Sequence, residues 1–378
     1  MSELLGTGEA LVSETMISLR EVTKRYGNGA PAVDRLSLDV PRGNTVVLVG
    51  PSGCGKTTTM KMINRLIEPT SGSIEVDGTD VLHQDPVTLR RGIGYVIQSI
   101  GLLPHRTVAQ NVATIPHLLG WESQRIKSRI TELIEMFNLD PAMLARYPAE
   151  LSGGQRQRVG VARALATDPP VMLMDEPFGA VDPIIRARLQ DQFLDIQQRL
   201  RKTIVFVTHD IDEAIKMADR IAILNVGGVV EQYAPPEEIL REPANDFVKN
   251  FVGVERGLKR LSLVKVEDIE VEEGPVVAPT ATIGAARAEM KSFGFDWVSV
   301  VEEGELLGWV GSTALEGKGL VSEVAPRPFS AYVTARSTLR HALDSIVTSR
   351  TQVAVVVTKG QTYRGILTLE RISQEIIH

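Results

Sequence analysis

Three short groups of residues in this chain have the types and spacing needed to handle phosphate. The first is Gly50-Pro51-Ser52-Gly53-Cys54-Gly55-Lys56-Thr57, followed by Thr58. It reads as a glycine, four residues, then glycine, lysine and threonine. Glycines let the backbone curl until its N–H groups point at phosphate oxygens. A helix opening there adds the positive end of its dipole. Lys56 is then placed to reach the β- and γ-phosphates of ATP, and the Thr57 hydroxyl to ligate Mg2+. Cys54 reads as a spacer within the loop and not as a reactive thiol. The second group is the apolar run Val171-Met172-Leu173-Met174, which ends in Asp175 and Glu176. Asp175 is placed to hold Mg2+ through water. Glu176, on the other side of the pleat, is placed to orient or deprotonate the attacking water. The third is Leu151-Ser152-Gly153-Gly154-Gln155-Arg156-Gln157-Arg158. A hydroxyl and two glycines at a helix start make a second anion-binding device. The plain alternative is an N-cap turn. One ATP does not need two such devices from one chain, so the Ser152 loop is expected to cap the γ-phosphate held by the Gly50 loop of a second copy.

These groups need a scaffold, and the surrounding pattern supplies one. Residues 16–39 are β-rich, with Gly27, Gly29 and Pro31 at a turn. A continuous apolar strand over 45–49 runs into the glycine loop, and helical spacing follows over 57–67. Residues 106–147 read as mostly helical. Strand and helix then alternate: strands at 171–174, 204–208 and 221–224, helices at 184–200 and 211–218, and a hairpin turned at Gly227-Gly228. Short apolar strands alternating with helices predict a largely parallel sheet covered on both faces. After Gly253 the style changes. A charged connector over 254–263 precedes an internal repeat, in which Thr282, Ile283, Ala286 and Met290 match Thr338, Leu339, Ala342 and Ile346 at an offset of 56 residues (338 − 282). Residues 297–301 match 353–357, Gly304 matches Gly360, and Gly308-Trp309-Val310 matches Gly365-Ile366-Leu367. Each unit reads as helix, strand, turn, strand, two packing face to face.

Composition bounds the function. With 378 residues, 43% hydrophobic and 23% charged, the chain is long enough for two or three domains. No apolar run approaches the roughly 20 residues a membrane span needs, and the start lacks the features of a signal peptide. The one cysteine precludes an internal disulfide and suits a reducing compartment. A net charge of −6 argues against nucleic acid as the main partner.

Taken together, these motifs resemble the ATP-binding subunits of ABC transporters, over residues 17–253. The resemblance implies an α/β P-loop NTPase domain at 16–253 after a lead-in at 1–15, with an antiparallel β subdomain and a helical subdomain at about 99–160. It implies that Tyr26 stacks on adenine and that Gln98 touches Mg2+ or water and relays the ATP state to the membrane subunits. It implies that Asp182, in Gly179-Ala180-Val181-Asp182, organises the opposite site, and that His209 is a switch histidine working with Glu176. ATP binding would close a homodimer and hydrolysis reopen it. Integral membrane permease subunits would be partners at the cytoplasmic face, and an extracytoplasmic solute-binding protein an indirect one.

The repeat resembles a pair of CBS domains, at 264–320 and 321–378, giving an α+β module after the ATPase. Such pairs accompany the osmoprotectant importers for glycine betaine, carnitine, choline or proline betaine, and the segment Gly94–His105, with apolar residues expected to be exposed for docking a membrane-subunit helix, also resembles that group. Recognition of a quaternary ammonium needs an aromatic cage, which would lie on the separate binding protein. The CBS resemblance implies a nucleotide ligand or a response to ionic strength. The usual Thr and Asp late in each repeat are here Thr368 with Glu370, and Gly311-Ser312-Thr313-Ala314-Leu315 with no carboxylate. The rivals are an importer for another small solute and an ABC ATPase acting on DNA or ribosomes. The latter usually shows a coiled-coil insertion or a second cassette, and neither is present.

Overall fold

The computed structural model describes residues 15–179, 181–358 and 361–377. The lead-in before Thr15, Ala180 and Gly360 lie outside the described residues. The chain divides into two compact units, the first ending at Val252 and the second beginning at Gly253.

The first unit holds two sheets. Strands β1 (Thr15–Lys24), β2 (Val33–Pro41), β4 (Ser71–Val76) and β5 (Thr79–Asp80) form an antiparallel sheet in the order β2-β1-β4-β5. In β2, Leu36, Leu38 and Val40 are buried while their neighbours are not, the two-residue period of a sheet wet on one face. The second sheet contains β3 (Thr45–Val49), β6 (Ile93–Val96), β7 (Val171–Asp175), β8 (Thr203–Thr208), β9 (Arg220–Asn225) and β10 (Val229–Ala234). Its order is β10-β9-β3-β8-β7-β6, and every neighbouring pair is parallel except β9 with the hairpin strand β10. Strands β3, β7 and β8 are buried at every position, which explains their unbroken apolar runs. One core joins the sheets: Ile17, Leu36 and Ile74 pack with Val46, Met60, Leu173 and Val205.

Register decides where the chemistry falls. Val49 stands opposite Thr208, and Asp175 opposite Val207. The glycine loop, the Asp175-Glu176 pair and His209 therefore leave three adjacent strands at one edge. The helix after the loop runs Lys56–Ile63 and stops short of the expected residue 67. Arg65 takes a left-handed backbone (φ 52°), and Glu68 precedes a proline, a position that disfavours helix. The helical part comprises Val108–Val112, Thr114–Leu118, Ser123–Met136 and Gly153–Ala164. Ser123–Met136 buries Ile126, Ile130, Leu133 and Ile134 along one face. Arg129 on that helix donates to the Leu165 and Ala166 carbonyls (2.9 and 3.2 Å), closing the end of Gly153–Ala164.

The second unit contains two three-stranded sheets of the same design. Strands β11 (Val276–Val277), β12 (Trp297–Glu302) and β13 (Glu305–Gly311) repeat as β14 (Tyr332–Val333), β15 (Val353–Val357) and β16 (Tyr363–Thr368). In each the first pair is parallel and the second antiparallel. Helices Ile283–Phe293 and Leu339–Thr348 begin at the matching caps Thr282 and Thr338.

The cores do not follow the 264–320 and 321–378 division. Leu261, Val264, Val266 and Ile269 pack with Leu339, Ile346 and Ile372, whereas Val321 and Val324 pack with Ile283, Val298 and Val310. Backbone bridges show the same exchange: Lys265 with Thr338 and Glu272 with Ile366, mirrored by Leu320 with Thr282 and Arg327 with Trp309. The segment before each repeat therefore completes the other repeat. Gly308 (φ 149°) and Gly365 (φ 145°) accommodate these crossings, because a Cβ at either would stand 2.4 Å from the Arg327 or Glu272 carbonyl oxygen. The charged connector is no free linker either: Arg256–Arg260 is helical and leads into the buried Leu261.

Candidate functional site

The loop after β3 curls where only glycine fits. A Cβ on Gly50 (φ 155°) would lie 2.1 Å from the Leu224 carbonyl oxygen, and one on Gly55 (φ 101°) 2.7 Å from that of Ala32. Ser52 and Gly53 are exposed at the tip, and Pro51 and Thr58 are half-buried. Cys54 is fully buried in the core, as a spacer should be. The Lys56 ammonium folds back over the loop, donating to the carbonyls of Gly50 (2.7 Å) and Pro51 (3.0 Å), 3.6 Å from Cys54 Sγ. A cation that has no carboxylate among its hydrogen-bond partners can be recruited by an incoming phosphate. Thr57 Oγ1 donates to Asp175 Oδ1 at 3.0 Å. Burial pushes the Asp175 carboxyl above its ordinary range; the Thr57 hydrogen bond opposes this, and the neighbouring Glu176 adds to it.

Glu176 leaves β7 with φ 43°, a left-handed backbone that costs a non-glycine residue ~1–3 kcal/mol. Its N–H donates to Val207 O at 2.9 Å, which anchors the turn to β8. The turn separates the two carboxylates: Asp175 faces Thr57, while Glu176 reaches two other strand ends. Glu176 Oε2 accepts from Gln98 Nε2 at 2.9 Å, and Oε1 lies 3.1 Å from His209 Nδ1. Gln98 follows β6, Glu176 follows β7 and His209 follows β8, so the order β8-β7-β6 brings the three together. The Glu176 side chain is 21% exposed and that of His209 62%, leaving the cluster open to a reacting molecule.

Ser152 caps Gly153–Ala164 in a reciprocal box: its Oγ accepts from Gln155 N (3.3 Å), and Gln155 Oε1 accepts from Ser152 N (2.8 Å). Ser152 is exposed, Gly153 has open space where a Cβ would go, and Gly154 packs under Ile185. Asp182 is likewise exposed while capping Pro183–Leu200 through Ile184 N at 3.0 Å. Among the described residues, neither cap hydrogen-bonds to the Lys56 loop or the Glu176 cluster. Tyr26 is 55% exposed, with Lys24 Nζ 5.2 Å from its ring centre.

The Gly94–His105 segment departs from expectation. Ile97, Ile100, Leu102 and Leu103 are half-buried, and the exposed residues are Gln98, Ser99, Pro104 and His105. The reason is an anchor the sequence reading missed. The Arg163 guanidinium donates to the Ile100 carbonyl (2.9 Å) and to that of Gly101, and Ile100 lies over Gly160. The charge alone does not reveal this, because the partners are backbone atoms some 60 residues away.

The fold and this strand-edge site define an ATP-hydrolysing cassette of the ABC type. The family model described as ABC transporter matches residues 33–179. The osmoprotectant import ATP-binding protein OsmV of Salmonella typhimurium is 46% identical over 370 residues, covering 96% of this chain and 95% of its own length. The glycine betaine/carnitine/choline transport ATP-binding protein OpuCA of Bacillus subtilis is 52% identical over 77% of each chain. Among solved structures, a dimeric ATP-binding cassette in a post-hydrolysis state, bound to ADP and Pi, superposes with a TM-score of 0.53 at 34% identity, over 58% of this chain and 99% of that one. The chain belongs to the family of ABC transporter ATP-binding proteins, and it binds and hydrolyses ATP. Among the described residues no helix is long and apolar enough to cross a membrane.

Proposed function

We propose that this chain energises the import of a quaternary-amine osmoprotectant, working at the cytoplasmic face of a membrane on integral permease subunits that are fed by an extracytoplasmic binding protein. The observation that carries the hydrolytic half is the convergence of Gln98, Glu176 and His209 beside the Lys56 loop. Lys56 and the loop N–H groups hold the phosphates, and Tyr26 offers its exposed ring to the base. Glu176 aligns and deprotonates the attacking water, with Gln98 and His209 fixing its two oxygens. Thr57 and Asp175 fit a Mg2+ ion, since the hydroxyl and carboxylate already meet at 3.0 Å; Gln98, bonded to the adjacent Glu176, would be the further ligand. The ion supplies charge neutralisation on the phosphates.

Ser152, Gly153, Gly154 and Gln155 engage the γ-phosphate held by a second copy, and Asp182 of this chain organises that same opposite site. The exposure of Ser152 and Asp182 and the local bonding of the two caps support this reading. ATP thus bridges a homodimer, and binding shifts the population towards closure. The dimeric relative with ADP and Pi lends this pairing support. The solute assignment rests on relatives that cover 77–96% of the chain and whose names specify osmoprotectant, betaine, carnitine or choline transport. Uptake of labelled glycine betaine and choline by cells with and without this chain, at low and high osmolarity, tests it. Equal uptake of every quaternary amine would remove the solute assignment and leave the ATPase intact.

The second unit is the control module, a CBS pair by the reading above. A cavity of about 600 Å3 lies there, walled by Val266, Ile269 and Val271, with Arg336, Thr358 and Arg364 at its polar side. Apolar walls and two cations suit an adenine nucleotide. Thr368 does not line this cavity; its hydroxyl and N–H both donate to Glu272 Oε2, at 2.7 and 3.1 Å. Titrating the full chain with adenine mononucleotides and cyclic dinucleotides, with Arg364→Ala as control, checks the assignment. Binding unaffected by that substitution would place the ligand elsewhere.

A further inference from the structure

Two buried polar side chains in the first unit belong to none of the motifs above. Gln190 Nε2 donates to Glu213 Oε1 at 3.0 Å, and the two residues are only 6% and 7% exposed. Gln190 lies two turns into Pro183–Leu200, the helix that Asp182 caps. Glu213 lies in the first turn of Ile211–Met217, which Asp210 caps directly after His209. The Asp210 carboxylate accepts from Asp212 N (2.8 Å) and Glu213 N (3.3 Å), and Asp210 N donates to Thr208 Oγ1 (3.0 Å). At the other end, Arg186 Nη2 donates to Val181 O (3.0 Å), just before Asp182, and the charge of Arg186 acts on Glu213. Burying a carboxylate is costly unless it is hydrogen-bonded, and two leucines would hold these helices together at less cost. What the polar pair adds is direction, because the bond forms at one register of the two helices only.

We infer that Glu213 and Gln190 form a positioning strut, which fixes the turn carrying His209 relative to the turn carrying Asp182. The chain's own hydrolytic cluster and the surface it presents to a second copy then move as one body. Neither residue touches ATP; both act through the turns they hold. The inference rests on the roles given above to His209 and Asp182.

The test uses ATP turnover by the full chain. Gln190→Met removes the donor and keeps the shape; kcat should fall about tenfold with KM for ATP changed less than about twofold. Glu213→Gln keeps the acceptor, and kcat should stay within about threefold of the parent. The double variant Q190M/E213M leaves no stranded carboxylate; its Tm should return to the parent value while kcat stays low. Parent-like turnover in Q190M, loss of turnover in E213Q, or recovery of kcat along with Tm in the double variant would each overturn the strut. His209→Ala, measured alongside, separates the two levels. A fully active H209A defeats the site reading itself, whereas an inactive H209A beside an unaffected Q190M defeats the strut alone.

Discussion

The two units put their polar side chains to different uses. In the first, polar side chains at the sheet edge and behind it pair with one another: Thr57 with Asp175, Gln98 and His209 with Glu176, Gln190 with Glu213. In the second, the Trp297 Nε1 group is buried without a hydrogen-bond partner, in a core otherwise built of Val353, Val355, Ile366 and aromatic rings that meet tilted or edge-on. The first unit spends its buried polarity on directed contacts that a phosphate can rearrange. The second relies on shape and on the crossing of its two lead segments. The contrast predicts that damage to the first shows as lost turnover, and damage to the second as lost stability.

The sharpest way to break that comparison is Glu176→Gln. It leaves the Gln98 contact possible and removes the base, so phosphate release should fall about 10²–10⁴-fold, with calorimetric unfolding of the second unit unmoved. Next is Arg163→Met, which strands the Ile100 and Gly101 carbonyls and should cost about 1.5–3 kcal/mol. Uptake and ATP turnover measured together should show more ATP spent per solute moved. In the second unit, Gly365→Ala or Gly308→Ala forces a Cβ against a carbonyl and should destabilise that unit by about 1–3 kcal/mol, read as a lower Tm of its own transition while turnover persists.

The smallest effect is a pH slope. Burial pushes the Tyr363 hydroxyl up to about 12 from 10. The unfolded chain loses that proton first, so the folded state holds more protons between those values, and stability falls as pH rises from 10 towards 12. Tyr363→Phe should flatten the slope in thermal melts over that range. A slope of equal size in both proteins would mean another group carries it.

The candidate residues Gln98, Glu176 and His209 were legible because each sits just past the end of an apolar strand. A run such as 171–174 ending in two acids, or 204–208 ending in histidine, announces both the strand and its functional edge. Pairings across distance were not legible. Nothing in the periodicity of 183–200 marks Gln190 as the partner of Glu213, because a glutamine at that spacing is indistinguishable from a solvated one. The same holds for Arg163, whose partners are carbonyls. The 56-residue repeat was visible, but not its exchange. Val266 and Val321 look alike in sequence, and only the Glu272–Ile366 and Arg327–Trp309 bridges show that each serves the other's core. The early stop of Lys56–Ile63 was readable from Pro69, though the apolar Ile67 masked it.

The crossing of those lead segments also bears on heredity. A duplicated segment that can stand alone can be copied, lost or moved one at a time. Here a cut between the repeats leaves each half without the segment that closes it, and a lone copy would present an open apolar face. The smallest portion that can be passed on intact, or grafted onto another motor, is therefore the pair, together with the stretch from Arg256 that leads Leu261 into place.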